Sequence, residues 1–161
     1  AAIDRIAADP LIRALRVDKL TLAALEATLR LVRAGESARA HIPLWRFLSV
    51  TPDRLHQRAA ALANALRGDG GFCAEAVTTS ALVGGGSVPV EAIPSAGVRL
   101  SPPFPAGIRS AQDLARRLRR GDRPIVARVQ DGAVWLDLRA VPAEDDAVLI
   151  AQLRDLAAAP E

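Results

Sequence analysis

The run from Asp18 to Gly35 carries two apolar stripes on a single helix, and this doubling limits what the chain can fold into. Leu22, Leu25, Leu29 and Val32 recur at helical spacing along one side, while Leu20, Ala24, Ala27 and Leu31 form a second stripe. A helix of a small, lone domain needs one buried stripe. The second predicts packing against something further, either another domain or another subunit. Asp18 offers an N-cap oxygen, Glu26 and Arg30 an i,i+4 pair on the remaining polar strip, and Gly35 the C′ position.

The segment before it reads as a junction. Residues 1–8 have helical composition, and Pro10 ends that helix near Asp9 because the residue before proline is pushed out of the α region. Arg13 and Arg16 follow, three residues apart. On one helical turn their guanidinium forks converge on a tetrahedral oxyanion, a fit for phosphate. The same spacing suits two solvated charges, or partners of Asp9 and Asp18, and spacing alone leaves these readings open.

Downstream, Thr51-Pro52 starts a helix with one stripe (Leu55, Ala59, Leu62, Leu66) that Gly68 closes. Residues 72–82 and 96–100 read as strands, the first rich in valine and threonine. Between them Val83-Gly84-Gly85-Gly86-Ser87-Val88-Pro89 allows positive φ and close backbone approach, or serves as a flexible turn, and it lacks the pattern of a nucleotide-hydrolysing phosphate loop. Ser101 to Pro105 makes a stiff, extended loop. Ser110 and Asp113 then resemble a capping box for a helix with Leu114 and Leu118 inward and Arg116, Arg117, Arg119 and Arg120 outward.

Asp131-Gly132 between two β-rich runs predicts a two-residue type I′ hairpin pairing Gln130 with Ala133 and Arg128 with Trp135. Ile125, Ala127, Val129, Val134, Leu136 and Leu138 then share the core face, and Val126, Arg128, Trp135 and Asp137 the other. There Arg128 can stack on Trp135 and reach Asp137 diagonally. Residues 142–156 close the chain with a helix whose first turn carries Glu144, Asp145 and Asp146, the charge its N-terminus favours, with Leu149, Leu153 and Leu156 inward. The expected fold is α+β, with helices on one face of a small, mainly antiparallel sheet.

Lys19 is the only lysine, and the net charge of +3 is too small to require nucleic acid. The four arginines of 116–120 can touch an RNA backbone, which needs charge and not bases, yet no aromatic residue is interleaved and a solvated face explains them too. Cys73 stands alone, so no internal disulfide forms, in keeping with a reducing cytosol; it reads as a small buried hydrophobe on a strand. His41 and His56 are isolated, and no Cys/His cluster has metal-ligand spacing, so no metal is expected. No apolar run is long enough for a bilayer, so no membrane partner is expected. Without an initiator methionine or an apolar leader, the opening residues read as interior to a longer protein.

Five stretches, in order, carry a resemblance: Asp9-Pro10 through Thr21-Leu22-Ala23-Ala24-Leu25-Glu26-Ala27-Thr28-Leu29 to Leu31; Ile42-Pro43-Leu44-Trp45-Arg46-Phe47-Leu48; the glycine motif of residues 83–89; Ile93-Pro94-Ser95; and Pro124 to Gly132 with Leu136-Asp137-Leu138-Arg139. Together they resemble the C-terminal domain of the bacterial L-seryl-tRNA(Sec) selenium transferases, the selenocysteine synthases. The resemblance implies the small domain of a fold type I enzyme dependent on pyridoxal 5'-phosphate, with residues 1–17 as interdomain junction and residues 18–161 as small domain. It implies that the cofactor sits on a lysine of a large domain outside this chain, and that Lys19, in the first turn of a helix, is not that lysine. Seryl-tRNA(Sec) and selenophosphate are the implied substrates, with Arg13 and Arg16 at the selenium-donor site. Gly84, Gly85, Gly86 and Ser87 would lie near substrate; the charge pattern of Arg116, Arg117, Arg119 and Arg120, and not the resemblance, makes those four candidates for tRNA contact.

Related enzymes of that fold use a small-domain arginine for a substrate carboxylate, which makes Arg128 a candidate, although an esterified seryl carboxylate has no such need. A cytoplasmic homo-oligomer held through the large domain is implied as well. Ala81 and Leu82 depart from the polar pair that usually precedes the glycine motif. Two other readings compete: an eliminase or transaminase-like relative acting on a small amino acid, and a free-standing RNA- or protein-interaction module working through the basic helix.

Overall fold

The computed structural model describes residues 2–68, 71–82 and 92–158. The chain forms two compact units, Ala1–Arg46 and Phe47–Glu161.

The first unit is helical. Helix α1 (Ala2–Ala8) stops before Asp9, whose side chain accepts the Leu11 N–H and opens a single 3-10 turn, Pro10–Arg13. Helix α2 (Lys19–Arg33) starts on Asp18, whose carboxylate accepts the N–H groups of Leu20 and Thr21 and the Thr21 hydroxyl. These bonds, that from the Thr21 hydroxyl foremost, hold Asp18 below its ordinary pKa. Gly35, at φ 66°, turns the chain as expected of a C′ residue. A short helix the sequence did not announce, α3 (Glu36–His41), follows, and α4 (Pro43–Ser49) covers most of the stretch of residues 42–48 that carries part of the resemblance.

No residue of α2 is buried, and Leu20, Leu22, Leu25 and Leu29 are 83, 53, 52 and 57% exposed. The expected burial of both stripes is therefore not met within this chain. The other α-helices lying wholly in its unit, α1 and α3, are only 7 and 6 residues long, too short to cover two faces of a 15-residue helix.

The second unit holds the core. Helix α5 (Pro52–Arg67) begins where Thr51 Oγ1 accepts the Arg54 N–H, and it buries Leu55, Ala59, Leu62, Ala63 and Leu66. Strands β1 (Cys73–Ala81), β2 (Ile93–Ser101), β3 (Arg128–Gln130) and β4 (Ala133–Asp137) form one sheet in the order β1-β2-β4-β3, with every neighbour antiparallel. Helix α6 (Ala111–Arg120) buries Leu114 and Leu118, and α7 (Asp146–Ala158), entered through a 3-10 turn at Ala143–Asp145, buries Leu149 and Leu153. All three helices contribute to one cluster with Ala74, Val98, Leu100, Val134, Leu136 and Leu138, so they cover a single face of the sheet.

The hairpin has the expected register, with Arg128 opposite Trp135 and Gln130 opposite Ala133. Asp131 and Gly132 both have positive φ, 51° and 69°, as a type I′ turn requires. Cys73 corrects the sequence reading, because it is exposed. Phe72 and Ala74 take the core positions on either side of it, and strand alternation turns Cys73 outward.

Candidate functional site

Arg13 closes the 3-10 turn, and the last hydrogen bonds of that turn run from the Ala14 and Leu15 N–H groups to the Leu11 carbonyl. Arg16 lies just beyond them, so the turn does not itself align the two side chains on one helical face. Both arginines are exposed, and among the described residues neither has a carboxylate partner. Asp9 and Asp18, the nearest acids in sequence, cap the flanking helical turns and pair with neither arginine. Residues 9–18 thus present two guanidinium groups with no carboxylate partner among the described residues.

The basic helix is partly neutralised. Ser110 Oγ accepts the Asp113 N–H as expected, while the Asp113 carboxylate accepts the Arg109 N–H and pairs with both Arg116 and Arg117. The Arg109 N–H first, and then the charges of Arg117 and Arg116, hold the buried Asp113 carboxyl below its ordinary pKa against the opposing effect of burial. Arg117 does not point outward as the sequence pattern indicated. It is half-buried and donates to the Gly107 carbonyl. Arg119 and Arg120 remain exposed and without a carboxylate partner among the described residues.

The uncovered face of the sheet brings together a row that the sequence only half revealed. Register places Glu75, Arg99, Trp135 and Arg128 side by side across the four strands. Arg99 and Arg128 lie 5.9 and 5.6 Å from the Trp135 ring centre, and Arg99 pairs with Glu75 at 2.5 Å. Arg128 stacks as expected but does not bond Asp137. Its Nη2 donates to Thr79 Oγ1 at 3.2 Å, while Asp137 Oδ1 accepts from Ser95 Oγ and the Arg139 N–H.

Gly97 lies on β2 between them in strand order, and its backbone packs so closely on β4 that an added Cβ would meet the Leu136 carbonyl. The roles of Thr79, Gly97 and Arg99 depend on the β2–β4 pairing, which joins strands separated by a helix and a hairpin and has no local signature. Gly84, Gly85, Gly86 and Ser87 lie outside the described residues.

Arg139 is the other residue that sequence reasoning missed. It is 5% exposed, and its guanidinium donates to the carbonyls of Phe47, Val50 and Pro94 at 3.0, 3.0 and 2.6 Å. It satisfies backbone at the end of α4 and the start of β2, and it does not face a ligand site. Among the described residues no cluster of His, Cys, Asp and Glu could hold a metal ion, and no helix is long and apolar enough to cross a membrane.

The L-seryl-tRNA selenium transferase family model matches residues 1–142. The L-seryl-tRNA(Sec) selenium transferase of Solidesulfovibrio magneticus is 42% identical over 161 residues, which cover 99% of this chain and 34% of the relative. Those of Nitratidesulfovibrio vulgaris and Caldanaerobacter subterraneus are 41 and 38% identical, covering 94 and 96% of this chain and 32% of each relative. The chain spans about a third of the length of the curated relatives it matches. On this match, which takes in both junction arginines, the basic helix and the sheet, the chain belongs to the L-seryl-tRNA selenium transferase family.

Proposed function

We propose that this chain is the C-terminal part of a longer enzyme that converts seryl-tRNA(Sec) to selenocysteinyl-tRNA(Sec) with selenophosphate as selenium donor. In this reading residues 1–17 form the interdomain junction and residues 18–161 the small domain of a cytoplasmic homo-oligomer. The family match supports the reaction class, and the observation that carries the local reading is the junction pair: Arg13 and Arg16 are exposed, and Asp9 and Asp18 cap the flanking turns without pairing with them. Two uncompensated guanidinium groups three residues apart suit the phosphate of the donor.

Arg119 and Arg120, with the outer part of Arg116, suit sequence-independent contacts with the tRNA backbone. Arg117 is largely spent on Gly107 and Asp113. Pyridoxal 5'-phosphate, implied by the family resemblance, finds no seat among the described residues. Lys19, the only lysine, sits exposed in the first turn of α2. The carrier lysine of the cofactor then belongs to the part of the family's length outside this chain. The open stripes of α2 are where that part, or a second subunit, packs.

The test is conversion of seryl-tRNA(Sec) by the complete protein with labelled selenophosphate. The reading expects selenium to enter the aminoacyl-tRNA and free serine to be ignored. Conversion of free serine with no reaction on seryl-tRNA(Sec) would contradict it.

A further inference from the structure

The uncovered face of the sheet is concave. Four strands at a spacing of about 4.8 Å would set β3 roughly 14 Å from β1 on a flat sheet, farther than an arginine and a threonine reach together. The 3.2 Å bond from Arg128 on β3 to Thr79 on β1 therefore requires the face to curl. The curl encloses a hollow of about 190 Å³ over Gly97, walled by Thr79, Arg128, Trp135 and Asp137.

The hollow has two polar ends. At one, Arg128 is held against the Trp135 ring beside the Thr79 hydroxyl, and it has no carboxylate partner among the described residues. At the other, Asp137 uses Oδ1 for Ser95 and the Arg139 N–H, and its Oδ2 has no hydrogen bond among the described residues. A cation beside a hydroxyl suits a phosphate oxyanion, and a free carboxylate oxygen suits a hydroxyl donor. A ribonucleotide carries both, since its phosphate and 2′-hydroxyl are held apart by the sugar. The narrow concavity admits an unpaired strand, whereas the broad convex backbone of a paired A-form helix cannot enter it. Glu75 offsets Arg99, so Arg128 is the charge left to attract the strand.

We infer that this hollow binds one nucleotide of the unpaired 3′ segment of the tRNA substrate, with its phosphate on Arg128 and Thr79 and its 2′-hydroxyl on Asp137. The inference rests on the tRNA-dependent function proposed above. It adds a contact that is separate from the outward arginines of α6 and from the junction pair.

Fluorescence anisotropy with the complete enzyme tests it, using labelled tRNA(Sec), the same tRNA trimmed of its unpaired 3′ nucleotides, and a form with 2′-deoxynucleotides in that segment. Arg128→Ala should weaken intact tRNA roughly tenfold and lower the slope of log affinity against log salt by about 0.7, with trimmed tRNA unaffected. Arg128→Lys should recover part of the loss, and Thr79→Val, which keeps the shape of the side chain, should cost roughly threefold on intact tRNA only. The deoxy substitution should weaken binding to the unaltered enzyme by a similar factor.

Equal losses on intact and trimmed tRNA, or no loss on either, would overturn the site. Indifference to the deoxy substitution would remove Asp137 from it. Competition by inorganic phosphate that is independent of the unpaired segment would mark a free-phosphate site and overturn the nucleotide assignment. If the unaltered enzyme binds no tRNA(Sec) at all, the functional reading itself falls. If it binds and the variants match it, only the inference falls.

Discussion

At the sheet, Gly97 and Arg139 leave little room for substitution. A Cβ built at Gly97 would lie 2.2 Å from the Leu136 carbonyl oxygen on β4, a contact that only backbone movement relieves. Gly97→Ala should therefore destabilise the chain by about 2 kcal/mol or more, read as a lowered urea midpoint. Arg139 satisfies carbonyls of Phe47, Val50 and Pro94 from a buried position, and Arg139→Met leaves them without donors. That loss should cost about 3 kcal/mol in the same measurement.

Asp113 gives a pH dependence with a definite sign. Its folded pKa lies below the ordinary value of 3.8, so its stabilising effect is complete above that value and is lost as pH falls through the lower, folded one. The urea midpoint should drop as pH falls below the ordinary carboxylate value, and Asp113→Asn should flatten that drop while lowering stability near neutrality. A profile unchanged by the substitution would show that Asp113 does not carry the effect.

At the scale of elements, the exposed leucines of α2 separate the isolated chain from the intact enzyme. Amide hydrogen exchange across residues 20–33 should be fast in the isolated 161-residue chain and slowed by roughly tenfold or more in the complete enzyme, once both stripes are covered. Equal exchange in the two would mean that α2 is not an interface. The doubled stripe was legible because helical periodicity is local, as were the Asp18, Thr51 and Ser110 caps and the Asp131-Gly132 hairpin. The concave hollow was not, because it arises from β2 pairing with β4 and from the curl of the sheet, and both are set by packing between distant segments. The outward phase of Cys73 and the inward fold of Arg117 escaped for a similar reason. A neighbouring Phe72 decided the first, and the Gly107 carbonyl, ten residues from Arg117, the second.

For the whole molecule, the two units differ in how complete they are. The second unit has its own core beneath the sheet, whereas the first unit displays an apolar helix and two unpaired arginines. Under the function proposed above, the rest of the enzyme would bury that helix and bring an anion to the arginines. The most direct test is the KM for selenophosphate in the complete enzyme carrying Arg13→Ala or Arg16→Ala, with the KM for seryl-tRNA(Sec) and the cofactor absorbance followed in parallel. The account predicts a rise of roughly tenfold or more in the donor KM for each variant, with the other two quantities nearly unchanged. A donor KM that stays at its original value in both variants would contradict it.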